Sequence, residues 1–311
     1  MSPIALLAPE LVVTAGALVL FALTTMNRGA ELASRMGLVL AGLVMAASVA
    51  TLGAEGQPFF EGIYTVDAFS QLLKLGLAVA LTLTCASFDS LKSFRPSVRQ
   101  DVPLFLFVST LGMMMLVSAT ELFTLYVSME LAAYGVFILV ALHVRERTGT
   151  EAALKTIIYG SAASAATLFG LSLIFGMTGT TYLSEIVASG GSTQPAFLVG
   201  VLLLLSGFFF KLGVFPFHAW IPDAYQGAAH QAVTFVGTVS KVAAVVPAGP
   251  PPTTTTSALT PLELVPPTVG MLAPTSMHRE CFPMPWSHGP STAEAQRWAM
   301  LILRDRWHRT S

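Results

Sequence analysis

"GFFFKLGVFPFHAWIPDAYQGAAHQAVTFVGTVSKVAA", Gly207 to Ala244, sets two lysines, Lys211 and Lys241, in runs that are otherwise nearly uncharged. Gly213 and Pro216 interrupt the apolar run that carries Lys211. Proline removes a backbone donor and clashes with the preceding turn, so the stretch reads as a broken helix. At membrane depth such a break is tolerated only where the freed backbone is buried in protein or lines a cavity. The pattern therefore points to a transmembrane helix interrupted for a purpose, with ammonium groups inside the membrane.

The rest of the chain supplies the membrane. Its 311 residues are 54% hydrophobic and 11% charged, with a mean hydropathy of +0.70, against about 25% charged residues in ordinary globular domains. The composition is that of an integral membrane protein, with the lipid bilayer as its first partner. A net charge of −1 offers no basic face to nucleic acid. Cys85 and Cys281 form no CxxC pair, and His218 and His230 stand outside any metal-ligand spacing, so metal and disulfide readings fall. The N-terminal run lacks a basic leader and is long enough to span, so it reads as a first helix rather than a cleaved signal.

Apolar runs of roughly 18 to 25 residues, each able to cross a hydrocarbon core of about 30 Å, follow one another. They predict helices near 4–26, 36–54, 68–87, 102–119, 122–142, 154–177, 196–216 and 229–247. The fold class is all-α, a polytopic bundle of about eight helices, because barrel strands are far shorter than these runs. Arg28 and Arg35 fall in the first connection, Lys92, Arg95 and Arg99 in the third, and Arg145 and Arg147 in the fifth. The second, fourth and sixth carry no lysine or arginine. That alternation puts the odd loops in the cytoplasm and the N-terminus outside the cell membrane.

After Val246 the composition changes. Residues 247–311 hold eleven of nineteen prolines, three of four tryptophans, five arginines and no lysine. Such a segment forms no regular helix and buries too little to order itself. Only Ser291–Ser311 can form an amphipathic helix, with Ser291 as N-cap and Glu294 at the capping-box position. Three regions result: helices one to three (1–101), helices four to eight (102–246), and a Pro/Thr-rich tail (247–311).

Charged residues inside spans are expensive and mark function by default. Glu130 sits mid-span, with both interfaces about 12–15 Å away by helical rise, beyond the reach of its short stem. Tyr134, one turn on, is a candidate hydrogen-bond partner; a neutral, structurally bonded glutamate is the bland alternative. Lys211 either faces a cavity or snorkels. Lys241 lies about 18 Å into its span, too deep to snorkel. Lys155, opening the sixth span, suits a relay or an interfacial anchor equally, and Lys74, just inside the third, reads as an anchor. His218 and His230 flank the broken helix, where an imidazole suits either proton entry or a plain loop role. A buried carboxylate and buried ammonium groups on neighbouring helices stabilise one another's charge, so moving one proton alters the next group. No cofactor motif accompanies them, so redox chemistry is not expected within this chain.

"LFTLYVSMELAAYGVFILVAL" (122–142), "TEAALKTIIYGSAASAATLFGLSLIFGMTGT" (150–180) and the opening stretch resemble the antiporter-like membrane subunits of respiratory complex I, the proton-pumping NADH-quinone oxidoreductase. Related cation/proton antiporter subunits are the runners-up. The resemblance covers about residues 1–246. It implies some fourteen helices with two inverted five-helix repeats, each holding a broken helix, the first formed by helices four to eight here. It also implies a proton relay in which Glu130 pairs with Lys211, with Lys155 and Lys241 beside them. The implied partners are other membrane subunits of complex I. NADH, FMN, iron–sulfur clusters and quinone would belong elsewhere in that complex. "GAAHQAV" (227–233) departs from the family, which carries a proline-containing run there. The larger departure is the missing second repeat. A frameshift near codon 246 of a GC-rich gene accounts for the tail's composition, and the polypeptide would then be a half-length, inactive fragment.

Overall fold

In the computed structural model, residues 3–53, 57–87, 94, 96–142, 146–188 and 194–245 are described. The proline-rich tail and its expected amphipathic helix lie outside them. The chain opens with a single turn, α1 (Pro3–Leu6), and continues into α2 (Ala8–Thr25). Gly29, at φ 97°, turns it into α3 (Ala30–Thr51), a backbone conformation that costs glycine nothing. A short antiparallel hairpin follows, β1 (Gln57–Phe59) and β2 (Tyr64–Val66), with Pro58 opposite Thr65. It is the one departure from the all-α expectation among the described residues.

Asp67 starts α4 (Ala68–Ala86) through a capping box, accepting from the Ser70 amide at 2.7 Å while Ser70 Oγ accepts from the Asp67 amide at 2.9 Å. After α5 (Val102–Ser118), Glu121 caps α6 (Leu122–Ala141) by accepting from the Thr124 amide at 2.7 Å. Then come α7 (Glu146–Thr178), the short α8 (Leu183–Ala188), α9 (Pro195–Leu212), α10 (Trp220–Gly227) and α11 (His230–Val245). Seven helices, α2 to α7 and α9, are long and apolar enough to cross a membrane. The expected eighth span is α11, described over 16 residues.

Among the described residues, the two largest apolar clusters organise the bundle. Leu20, Ala41, Leu81, Phe107, Leu139 and Phe235 belong to one that joins α2 to α6 with α11. Phe137, Ala163, Phe210, Trp220 and Val236 form another among α6, α7, α9, α10 and α11. The outward faces are apolar too, with Leu18, Phe21, Leu83 and Leu202 each more than half exposed, as suits a surface solvated by lipid tails. Because lipid gives no hydrophobic drive to helix pairing, close contact must supply it. Gly170 does this: a Cβ there would stand 2.4 Å from the Leu204 amide nitrogen, so α7 and α9 meet backbone to backbone.

Candidate functional site

The break expected at Gly213–Pro216 is present and its backbone is satisfied. Gly213 takes φ 72° and ψ 38°, ending α9 in the left-handed conformation. The Val214 amide donates to the Phe209 carbonyl (2.9 Å) and the Gly213 amide to that of Phe210 (3.1 Å), a Schellman closure. The Trp220 indole N–H also donates to the Phe210 carbonyl, at 2.8 Å, and its ring packs on that of Phe210 with centroids 5.0 Å apart. The start of α10 is thereby tied to the residue preceding Lys211.

Lys211 is 7% exposed, which removes the snorkelling alternative. Its Nζ donates to the Met129 carbonyl of α6 at 3.1 Å. Glu130, the next residue, lines the same cavity of about 20 Å³ with Ala133, Gly160, Ser164 and Gly207, room for about one water. Among the described residues no carboxylate oxygen comes within 4.0 Å of Lys211 Nζ, so the two form no contact ion pair. Both line the one cavity, so each lies within reach of the other's field.

The expected Tyr134 partner is corrected. Tyr134 is 58% exposed and meets Phe137 edge-on, because its position turns it outward from the bundle. Ser164 of α7 instead lines the cavity together with Glu130, and Ser164 meets the Tyr126 hydroxyl at 2.9 Å. Sequence reading missed Ser164 and Tyr126. Tyr126 stands one turn before Glu130 on α6, which was a usable signal; nothing local marks Ser164.

The other lysines converge on α10 rather than on the cavity. Lys155, half-buried on α7, pairs with Glu151 at 2.7 Å and with Asp223 of α10 at 3.0 Å. Lys241 of α11 holds its Nζ 5.7 Å from the ring centre of Tyr225, also on α10, a cation–π contact. The fragment beyond the break thus touches the surroundings of all three lysines through Trp220, Asp223 and Tyr225. His218 and His230 are exposed, and neither lines the cavity; the His218 ring lies against Phe215.

Lys74 is corrected outright. It is 1% exposed and paired with Glu10 of α2 at 2.5 Å, not anchored at an interface. Its depth along α4 was legible, but its partner comes from another helix.

Residues 119–249 match the family described as "NADH:quinone oxidoreductase/Mrp antiporter, TM". This segment is similar to that family. It contains Glu130, Lys155, Lys211 and Lys241. Over 276 residues the chain is 41% identical to NADH-quinone oxidoreductase subunit N 2 of Syntrophobacter fumaroxidans, covering 86% of this chain and 58% of that protein. Subunit N 2 of Opitutus terrae is 36% identical, over 76% of this chain and 50% of its own length. The chain therefore spans about half the length of the curated relatives it matches. A chain of respiratory complex I from Thermus thermophilus with bound aureothin superposes with a TM-score of 0.63 at 29% identity, over 76% of this chain and 51% of that one. A chain of the Mrp complex from Dietzia shares the fold, with a TM-score of 0.66 at 22% identity over 79% and 48%. The chain resembles the antiporter-like membrane subunits across its helical part.

Proposed function

We propose that this chain is a proton-translocating membrane subunit of an NADH-quinone oxidoreductase in the cell membrane, working beside other membrane subunits, with its N-terminus on the outer side. The observation that carries the reading is Lys211, buried between α6 and α9 and sharing a cavity with Glu130 but no contact pair. Lys211 is desolvated there and Glu130 half-buried beside it, so the state of each bears on the other. A water held in that cavity would let a proton pass between carboxylate and amine without freezing the pair. Ser164, on the wall of the same cavity as Glu130, and Tyr126 form a polar pair toward the α6 N-terminus. Asp223 and Tyr225 hold Lys155 and Lys241 against α10, so a change at either lysine reaches the helix break beside Lys211.

The test is proton translocation per electron in an assembled complex carrying Glu130→Gln or Lys211→Met. Each is expected to abolish most of the translocation assigned to this subunit while assembly persists. Normal translocation in both variants overturns the relay. The family description also names Mrp antiporters, and cation-driven proton exchange by the chain in vesicles without NADH would favour that second reading.

A further inference from the structure

A second buried ionisable cluster lies outside the family-matched segment, at the end of the bundle where the hairpin packs. Lys74 Nζ and the Tyr64 hydroxyl both reach Glu10 Oε1, each at 2.5 Å. The ammonium also lies 5.1 Å from the centre of the Tyr64 ring. Lys74 is 1%, Tyr64 6% and Glu10 8% exposed, so water screens none of them. Glu10 Oε2, Lys74 Nζ, both amide atoms of Gln71 and Ser118 Oγ are buried with no well-formed hydrogen bond. Ser118 closes α5 beside Tyr64, without a well-formed bond to it. Asp67, the α4 cap, is the other charged group whose field reaches Lys74.

Such a set is poorly built as a purely structural pair. A buried ion pair is net stabilising only when its remaining protons and lone pairs are satisfied. Here one carboxylate oxygen takes the Tyr64 hydroxyl and the contact with Lys74, while the ammonium makes no well-formed hydrogen bond and the other oxygen takes no donor. A free carboxylate oxygen on a carboxylate held against an ammonium is instead suited to accept and return a proton. The hairpin supplies a cover: Tyr64 bridges to Ala119, and the Thr120 amide donates to the Ile63 carbonyl at 3.1 Å. The strand that delivers Tyr64 is thus latched to the connection leading into α6.

We propose that Glu10, Lys74 and Tyr64 form a second proton-exchange site, distinct from the Glu130–Lys211 cavity and served from the end of the bundle that the hairpin covers. A proton arriving from water adds to Glu10 Oε2, taking the pair from net zero to net +1. Oε1 keeps Lys74 and Tyr64 throughout. Release reverses the step, and no other atom changes hands. Tyr64 stays a donor over this cycle, because burial first, and then the charge and hydrogen bond of Glu10, hold its hydroxyl well above the ordinary tyrosine range.

The experiment is an infrared pH titration of the full chain in lipid nanodiscs, from alkaline to acid, in ordinary and heavy water. A protonated-carboxyl band is expected to appear on acidification, to shift promptly on deuteration, to vanish in Glu10→Gln and to persist in Glu130→Gln. Tyr64→Phe removes a donor from the carboxylate, so its midpoint should rise by about one to two pH units, the worth of one hydrogen bond to a charged acceptor. If Glu10→Gln does not fold, the Tyr64→Phe midpoint decides alone. Spectra identical in Glu10→Gln and the natural chain, a band that resists deuteration, or an unmoved midpoint in Tyr64→Phe would show a fixed ion pair and overturn the proposal. None of these readouts depends on translocation, so failure here leaves the Glu130–Lys211 reading untouched.

Discussion

The separation of Glu130 from Lys211 gives a bounded expectation for how strongly they couple. The two are more than 4.0 Å apart at their charged atoms. At 4 Å with an effective dielectric near 20, two unit charges interact by about 4 kcal/mol, which is the ceiling here. Lys211→Met removes a desolvated charge as well as its bond to the Met129 carbonyl, so its single effect mixes terms of opposite sign. The cycle of Lys211→Met, Glu130→Gln and the double variant cancels them and isolates the pair. The unfolding free energy of each, measured in mixed micelles, is expected to give a coupling of about 1–3 kcal/mol. Additivity within about 0.5 kcal/mol would mean that the charges ignore one another. A coupling above about 4 kcal/mol would mean that they touch. Either result refutes a pair that is coupled without contact.

Three further outcomes test the surroundings. Gly207→Ala would place a Cβ 2.4 Å from Thr167 Oγ1 and 2.8 Å from Met129 Cε at the cavity wall; a loss of about 1–3 kcal/mol is expected, partly recovered by adding Thr167→Ala, and no loss would show that α9 can shift freely. Trp220→Phe keeps the ring stack but deletes the donor to the Phe210 carbonyl, so about 1 kcal/mol should go, against about 3–5 kcal/mol for Trp220→Ala; equal losses in thermal unfolding would make the hydrogen bond the whole anchor. Lys241→Arg keeps a cation over Tyr225 but holds its proton too tightly to release it. In an assembled complex it should therefore impair translocation nearly as much as Lys241→Ala, and near-normal translocation in the arginine variant would make Lys241 a fixed counter-charge.

What the sequence shows about such a protein is demand, and what it hides is supply. Lys211 and Glu130 stood out because a charge inside a long apolar run needs a partner, and the break near Pro216 stood out because proline cannot continue a helix. The partner's identity is tertiary. Glu130 shares its cavity with Ser164 of α7, whereas Tyr134 of its own helix is exposed. Lys74 looked like an anchor because depth was counted along its own span, whereas Glu10 reaches it from a helix 64 positions earlier. Glu10 itself was a legible demand, a carboxylate inside the first apolar run beside Pro9, and pairing the two unexplained charges of helices one and three would have found the site. The hairpin was beyond reach for a different reason: strands of three residues carry too few alternations for any period to show. In lipid, then, each unexplained polar group predicts another, and the useful step from sequence is to match the unmatched groups across helices before assigning any of them to the surface.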